Sequence, residues 1–337
     1  MASVPPPQKP VTSTDVAKAA GVSRTTVSLV LNGVESIALS PQTRDHVRAV
    51  ARDLGYVPHS GARALRKGYS GIVLMPSADG ALGRLVLEWT TELEDALNAV
   101  GLTFVTFGSR HLGYVDAARA WSQLRPVAVL TLGSVVLPAR SQQILRDNGT
   151  RAIVSTGEGP APGTHVLVTG QADAGALAAT HLADTGRRRV GIVLPTEAGL
   201  EGIARARRER AISVCEARDI ETVDLPMRYD RDGALAVART CVERGIDGVF
   251  AYDDDYALLL LSALDLIGVD VPRDVAVVGC DDIVAGTLAR PALTTVRLSF
   301  PAATEVADVI RRLVEDPGTE PGVSRAEPPR LIVRDSS

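Results

Sequence analysis

Ala20–Gly33 reads AGVSRTTVSLVLNG, and its reading decides the amino-terminal fold. Val22, Val27, Val30 and Leu31 recur among hydroxyl-bearing residues. β-Branched residues favour strands. A half-buried strand, however, needs strict apolar/polar alternation, and Val27-Ser28-Leu29-Val30-Leu31 breaks it. Val27, Val30 and Leu31 fall instead at i, i+3 and i+4, one face of a helix. Gly21 suits the left-handed turn that ends a preceding helix. Ser23 is placed to N-cap the next one, accepting a backbone N–H from Thr25 or Thr26. Asn32-Gly33 closes it.

The same punctuation continues on both sides. Upstream, Ser13 or Thr14 is the expected N-cap of a helix carrying Val16, Ala17 and Ala20. Downstream, Ser40-Pro41 places a cap and an N1 proline before QTRDHVRAVARDLG, where Val47, Val50, Ala51 and Leu54 fit a 3.6-residue period and Gly55 ends the run. Two short helices joined by a glycine turn, with a third behind them, make a helix-turn-helix. Charge agrees with a nucleic-acid role. Residues 1–68 hold nine Lys/Arg against four Asp/Glu, a net +5; the rest hold 27 against 36, a net −9. A basic head on an acidic body directs the head, not the body, to a polyanion. On the middle helix Arg24, Thr25, Ser28 and Leu29 point away from the Val27/Val30 face. The helix-turn-helix geometry brings the N-terminal residues of this helix to base edges in the major groove. Arg24, Thr25 and Leu29 are therefore the expected base readers, Leu29 through an apolar contact such as a thymine methyl. Ser23, Thr26, Ser28 and Asn32 are short polar groups suited to phosphates.

Beyond Gly71 the pattern changes. Short apolar runs (GIVLM, LTFVTFG, VAVLTLG, AIVSTG, RVGIVLP, GVFAYDD, VAVVGCDD) alternate with helical stretches such as LVLEWTTELEDALNAVG and DYALLLLSALDLIG. This is the signature of βαβ units and a parallel sheet. More than 250 residues of it is long for one doubly wound sheet, so two lobes are expected. Hydrophobic content of 45% supplies enough core for them. The three cysteines, Cys215, Cys241 and Cys280, are widely spaced in apolar contexts, which fits reduced buried thiols rather than disulfides or a metal site. MASVPPPQKP has no apolar h-region and reads as a disordered tail, not a signal peptide. No apolar run approaches the roughly 20 residues of a membrane span. A cytoplasmic protein without membrane contact is expected.

These residues carry a family resemblance. VTSTDVAKAAGVSRTTVSLVLNG, SPQTRDHVRAVARDLGYVP and ARALRKG closely resemble the head of the lactose-repressor (LacI/GalR) family of transcription regulators. HLADTGRRRVGIV, FAYDDDYA, GVDVPRDVAVVGCDD and RPALTTV resemble its periplasmic-binding-protein-like core. The resemblance implies a disordered tail over 1–10, a helix-turn-helix domain over 11–58, a hinge helix or linker over 59–69, and a two-lobed effector-binding and dimerisation core over 70–335. Lobe 1 would comprise about 70–168 and 294–320, lobe 2 about 169–293 and 321–335. It further implies a homodimer on a palindromic operator, a repressor role, and a hinge in which Ala62, Arg63 and Leu65 meet the minor groove, Leu65 as the wedge. GARALRK is too short to be helical alone and would fold against DNA. Matched residue by residue, Arg207, Asp253 and Asp281 would bind a small-molecule effector, sugar-like in the family, between the lobes.

The first lobe departs from the family pattern. The usual Asn-Pro-aromatic-aromatic stretch after GIVLMPSADG is replaced by ALGRLVLEW, and the expected Asp-Asn pair is Gln171-Ala172. With only 4% aromatic residues, a stacking platform for a sugar ring is hard to supply. A regulator with a degenerate pocket, controlled by a protein partner or by its own abundance, is the alternative reading. Enzyme and solute-binding readings are weaker. AYDDDYA could be a metal cluster, but three consecutive aspartates cannot face one point, and one can cap the following helix. GEGPAPG (Gly157–Gly163) has the wrong glycine spacing for a phosphate loop. His181 sits on an amphipathic helix and reads as structural. No catalytic residues, metal site or cofactor are expected.

Overall fold

The computed structural model describes residues 11–31, 39–56, 69–77, 83–108, 112–133, 136–316 and 318–337. The chain divides after Ser70 into two compact units. The expected hinge residues Ala62, Arg63 and Leu65, and Asn32, lie outside the described residues.

The first unit is the helix-turn-helix. Helix α1 (Ser13–Ala20) is capped one residue earlier than expected, at Thr12. Thr12 Oγ1 accepts the Asp15 N–H at 3.4 Å, while the Asp15 carboxylate accepts the Thr12 N–H at 2.8 Å. This reciprocal capping box needs an acceptor three residues after the cap, and only Thr12 has Asp15 there. Gly21 ends α1 at φ 65°. Helix α2 (Arg24–Leu31) starts on Ser23, whose Oγ accepts the Thr26 N–H at 3.0 Å. Helix α3 (Pro41–Asp53) has Ser40 as N-cap and Pro41 at N1. Val16, Ala17, Ala20, Val27, Val30, Val47 and Ala51 close a small core. Leu54, expected on the apolar face of α3, is exposed beyond the helix end.

The second unit holds two six-stranded sheets. The first contains β1 (Ile72–Ser77), β2 (Thr103–Gly108), β3 (Ala128–Thr131), β4 (Ala152–Gly157), β5 (His165–Val168) and β11 (Val323–Arg325), in the order β11-β5-β4-β3-β1-β2, all parallel. The second contains β6 (Arg189–Pro195), β7 (Glu221–Met227), β8 (Gly248–Phe250), β9 (Ala276–Cys280), β10 (Thr294–Arg297) and β12 (Arg330–Ile332), in the order β12-β10-β9-β8-β6-β7. There β12 alone runs antiparallel, against β10. Helices α4 (Arg84–Ala99), α5 (Tyr114–Ser122), α6 (Ala139–Asp147) and α12 (Ala303–Glu315) belong to the first lobe; α7 (Gln171–Asp184), α8 (Glu201–Glu216), α9 (Arg231–Arg244), α10 (Asp254–Leu266) and α11 (Val284–Leu288) belong to the second. Central strands such as β3, β4 and β9 are buried on both faces, hence their unbroken apolar runs.

The expected lobe boundaries are corrected at two places. Thr294–Arg297, expected in lobe 1, is a strand of the second sheet, beside β9. Val323–Arg325, expected in lobe 2, pairs with β5 in the first sheet. His165 fixes the latter crossing: Nδ1 accepts the Gly322 N–H at 3.1 Å, leaving Nε2–H to donate to Ser324 Oγ at 3.1 Å. Three- and four-residue runs of Val, Ser and Thr carry no mark of which sheet edge they will join. His181 is structural as expected: its Nε2 bonds Ser337 Oγ at 2.8 Å, tying α7 to the final residue. All three cysteines are buried and free.

Candidate functional site

On the head, Arg24 and Thr25 are exposed in the first turn of α2, with Ser28 and Leu29 half-buried one turn on. At 100° per residue these four lie opposite the buried Val27 and Val30. The first turn therefore presents one guanidinium, a hydroxyl and the helix N-terminus on a single surface. Ser23 and Thr26 are less free than the sequence suggests. Their hydroxyls bond each other at 2.9 Å, and Ser23 Oγ also accepts the Thr26 amide. The pair thus retains one O–H to donate outward, not two.

In the core, Arg207, Asp253 and Asp281 line one cavity of about 80 Å³ between the lobes. They reach it from three elements. Asp253 follows β8 and Asp281 follows β9, at the carboxyl ends of parallel strands where such folds bind ligands. Arg207 comes from α8 and is buried. Its Nε donates to Gln171 Oε1 at 2.7 Å, Nη1 donates to the Tyr252 carbonyl, and Nη2 meets Asp281 Oδ1 at 3.5 Å. The guanidinium also lies 5.0 Å from the centre of the Tyr252 ring, within cation–π range. Asp253 caps α10, its Oδ1 accepting the Tyr256 N–H at 2.9 Å. Asp281 sits at φ 104° and Asp282 at φ 55°, a sharp turn that parts the two carboxylates. Asp282 turns to Arg297 and Arg334, at 2.7 and 2.5 Å, while Asp281 faces the cavity.

The first two aspartates of AYDDDYA divide in the same way. Asp253 lines the cavity. Asp254 is fully buried, accepting the Thr295 hydroxyl at 2.6 Å and the Ile283 N–H at 2.8 Å. Burial, and secondarily the Asp281 charge, push the Asp253 carboxyl up to about 7. Burial also pushes Asp254 up to about 7, against the pull of its two hydrogen bonds. Burial opposes the charge on Arg207, but the neighbouring carboxyls of Asp281 and Asp253 favour it, and the guanidinium is held protonated.

Several lining residues escaped the sequence reading. Gln171, read as the loss of an Asp-Asn pair, orients Arg207 and in turn donates to Thr169 Oγ1 at 3.0 Å. The expected shortage of aromatic surface is also corrected. Tyr252 and Phe300 line the cavity, and Trp89 stacks on Phe300 at 4.4 Å while donating to the Pro301 carbonyl at 2.9 Å. These rings come from three separate stretches, so no local motif announces them. GEGPAPG is the loop between β4 and β5, and its Glu158 accepts the Ala172 N–H at 3.5 Å. The helix terminus that a phosphate loop would offer is thus already met by a carboxylate.

Residues 12–59 match the bacterial regulatory proteins of the lacI family, and residues 179–337 match the periplasmic-binding-protein-like domain. The chain is 31% identical over 298 residues to the HTH-type transcriptional regulator GntR of Pseudomonas aeruginosa, covering 85% of this chain and 84% of that protein. It is 28% identical over 349 residues to the HTH-type transcriptional regulator MalR of Streptomyces coelicolor, covering 96% and 95%. A lac repressor dimer bound to operator and the anti-inducer ONPF shares the fold, with a TM-score of 0.77 at 21% identity over 97% of this chain and 99% of that one. The relatives are transcriptional regulators rather than enzymes. The likeness runs along most of the chain, through a helix-turn-helix domain and a core of two parallel-sheet lobes, and the chain belongs to the LacI/GalR family of DNA-binding transcriptional regulators.

Proposed function

We propose that this regulator is a cytoplasmic homodimeric repressor that binds a palindromic operator and is controlled by a small molecule in the interlobe cavity. The observation that carries the reading is the face of α2. Arg24 and Thr25 are exposed on its first turn, and the opposite side is sealed by Val27 and Val30. An arginine at that position can pair with guanine O6 and N7, and the short polar side chains around it fix the helix on phosphates. Leu65 is the proposed minor-groove wedge, with Ala62 and Arg63 beside it, kinking the operator at its centre. Val284 and Leu288, one turn apart on α11, are 70% and 78% exposed, apolar surface that pairing of two copies would cover. In the core, Arg207, Asp253 and Asp281 converge from separate elements on an enclosed space. An effector bound there would alter the angle between lobes and, through the hinges, the affinity for operator. Its differential affinity for the two states supplies the energy.

The test is selection of bound sequences from random DNA by the purified full-length protein at stated salt. The reading requires a palindrome with two equal half-sites. Recovery of only single half-sites, or of no preferred sequence, would defeat the dimeric operator.

A further inference from the structure

We infer that the cavity takes a compact organic cation, an amine on a small apolar body, in preference to a neutral sugar. This rests on the reading of the cavity as the effector site and names its ligand class.

Charge in the cavity is not balanced. Arg207 is matched by Asp281, and its other bonds go to neutral oxygens of Gln171 and Tyr252. Asp253 is left over, and with its carboxyl pushed up to about 7 it is mostly ionised at about pH 8, where it adds an unmatched negative charge. It is only 8% exposed, and its Oδ1 is occupied by the helix cap. Among the described residues, no donor bonds its Oδ2. That oxygen opens on the cavity without a protein donor, and a charged N–H is the ligand group that forms the strongest hydrogen bond to it. The walls favour the same ligand. Leu85, Val86, Leu200, Ile203, Phe300 and Tyr252 make most of the surface apolar, with two aromatic rings. Aromatic faces attract a cation. Arg207, Gln171 and Thr169 on the polar side are already bonded to one another, so a sugar's remaining hydroxyls would face leucine and isoleucine, and each one left unpaired weakens binding. An anionic ligand would meet Asp253 and Asp281 together. The 80 Å³ of space holds roughly five to eight waters, which suits a single small ring rather than a disaccharide.

The test is calorimetry on the full-length protein with cyclopentylamine, cyclopentanol, cyclopentanecarboxylate and glucose as probes. The amine is expected to bind at least tenfold more tightly than the alcohol, with the carboxylate weakest. Asp253→Asn keeps an oxygen to cap α10, and it should abolish the preference for amine over alcohol. Asp254→Asn, which neutralises the neighbouring carboxyl bonded to Thr295 and Ile283, should leave that preference in place. Alcohol or glucose binding as tightly as the amine, no binding of the amine at all, or a preference that survives Asp253→Asn would overturn the assignment. Operator affinity measured on the same samples separates the two readings. Amine binding that depends on Asp253 but leaves operator affinity unchanged would support the cation site while refuting effector control.

Discussion

Two single residues show how chemistry is set by neighbours rather than by residue type. Arg24 is exposed on the first turn of α2. If it reads a guanine, Arg24→Ala should relax base preference at one position in each half-site, costing about 1–3 kcal/mol of discrimination there. Binding measured on a panel of single-substitution operators checks this. An equal loss on every sequence would make Arg24 a phosphate contact instead. Asp254 shows the opposite case, a carboxylate with a structural task. Folding raises its pKa from 3.8 to about 7, so the folded chain holds the proton more tightly than the unfolded one. Its contribution to stability is complete below pH 3.8 and is lost as pH rises through about 7. Asp254→Asn removes that titration while keeping the shape. Urea midpoints measured between about pH 4 and pH 8 should then fall less steeply than in the parent. Asp253 shares the window and retains part of the slope. An unchanged slope would mean that Asp254 does not titrate there.

At the scale of elements, the cavity depends on how closely α7 and α8 approach. Gly175 of α7 packs directly on the backbone of Arg207. A methyl group at position 175 would overlap the Arg207 carbonyl oxygen and lie 2.8 Å from its carbonyl carbon. Helix propensity alone favours alanine over glycine by about 1 kcal/mol. The overlap reverses the sign, since relieving it requires a backbone shift costing about 1–3 kcal/mol or more. Gly175→Ala is therefore expected to lower the urea midpoint and to weaken amine binding by moving Arg207. A raised midpoint would show that the two helices have slack. Capping in the head was largely legible, because Ser23, Ser40 and the glycine of the turn act on neighbours within four residues. Thr12 was missed for Ser13 because several hydroxyls stand in a row, and only the partner at Asp15 decides between them.

At the scale of the whole molecule, the two lobes are joined by three chain crossings, one after each of β5, β10 and β11. Segments far apart in sequence therefore meet in one cavity, and a ligand there can bias the angle between lobes. Linkage makes the effect reciprocal: whatever factor the ligand takes from operator affinity, operator takes from ligand affinity. Leu65, outside the described residues, is where the proposed readout reaches DNA. Leu65→Ala should reduce DNA bending in a circular-permutation gel assay. It should also weaken specific binding by at least tenfold while sparing non-specific affinity. Unchanged bending would remove the wedge.

The sequence by itself determined the helix-turn-helix, the alternating α/β core and the break between head and core, while the three charged candidates of the cavity came from the family resemblance. These rest on periodicity, caps and turns, which act over a few residues, and on motifs whose spacing is local. Only the tertiary structure decided that Thr294–Arg297 and Val323–Arg325 join the opposite sheets from those expected, that Gln171 holds Arg207, and that Tyr252, Phe300 and Trp89 build an aromatic wall. It also decided that Asp254 turns away from the cavity while Asp253 lines it. The reason is physical: sheet membership and cavity lining are set by contacts between separate elements, as between β10 and β9, Gln171 and Arg207, or Trp89 and Phe300, and a short Val/Thr run or a lone aromatic ring reads the same in its local sequence whichever partner it will meet.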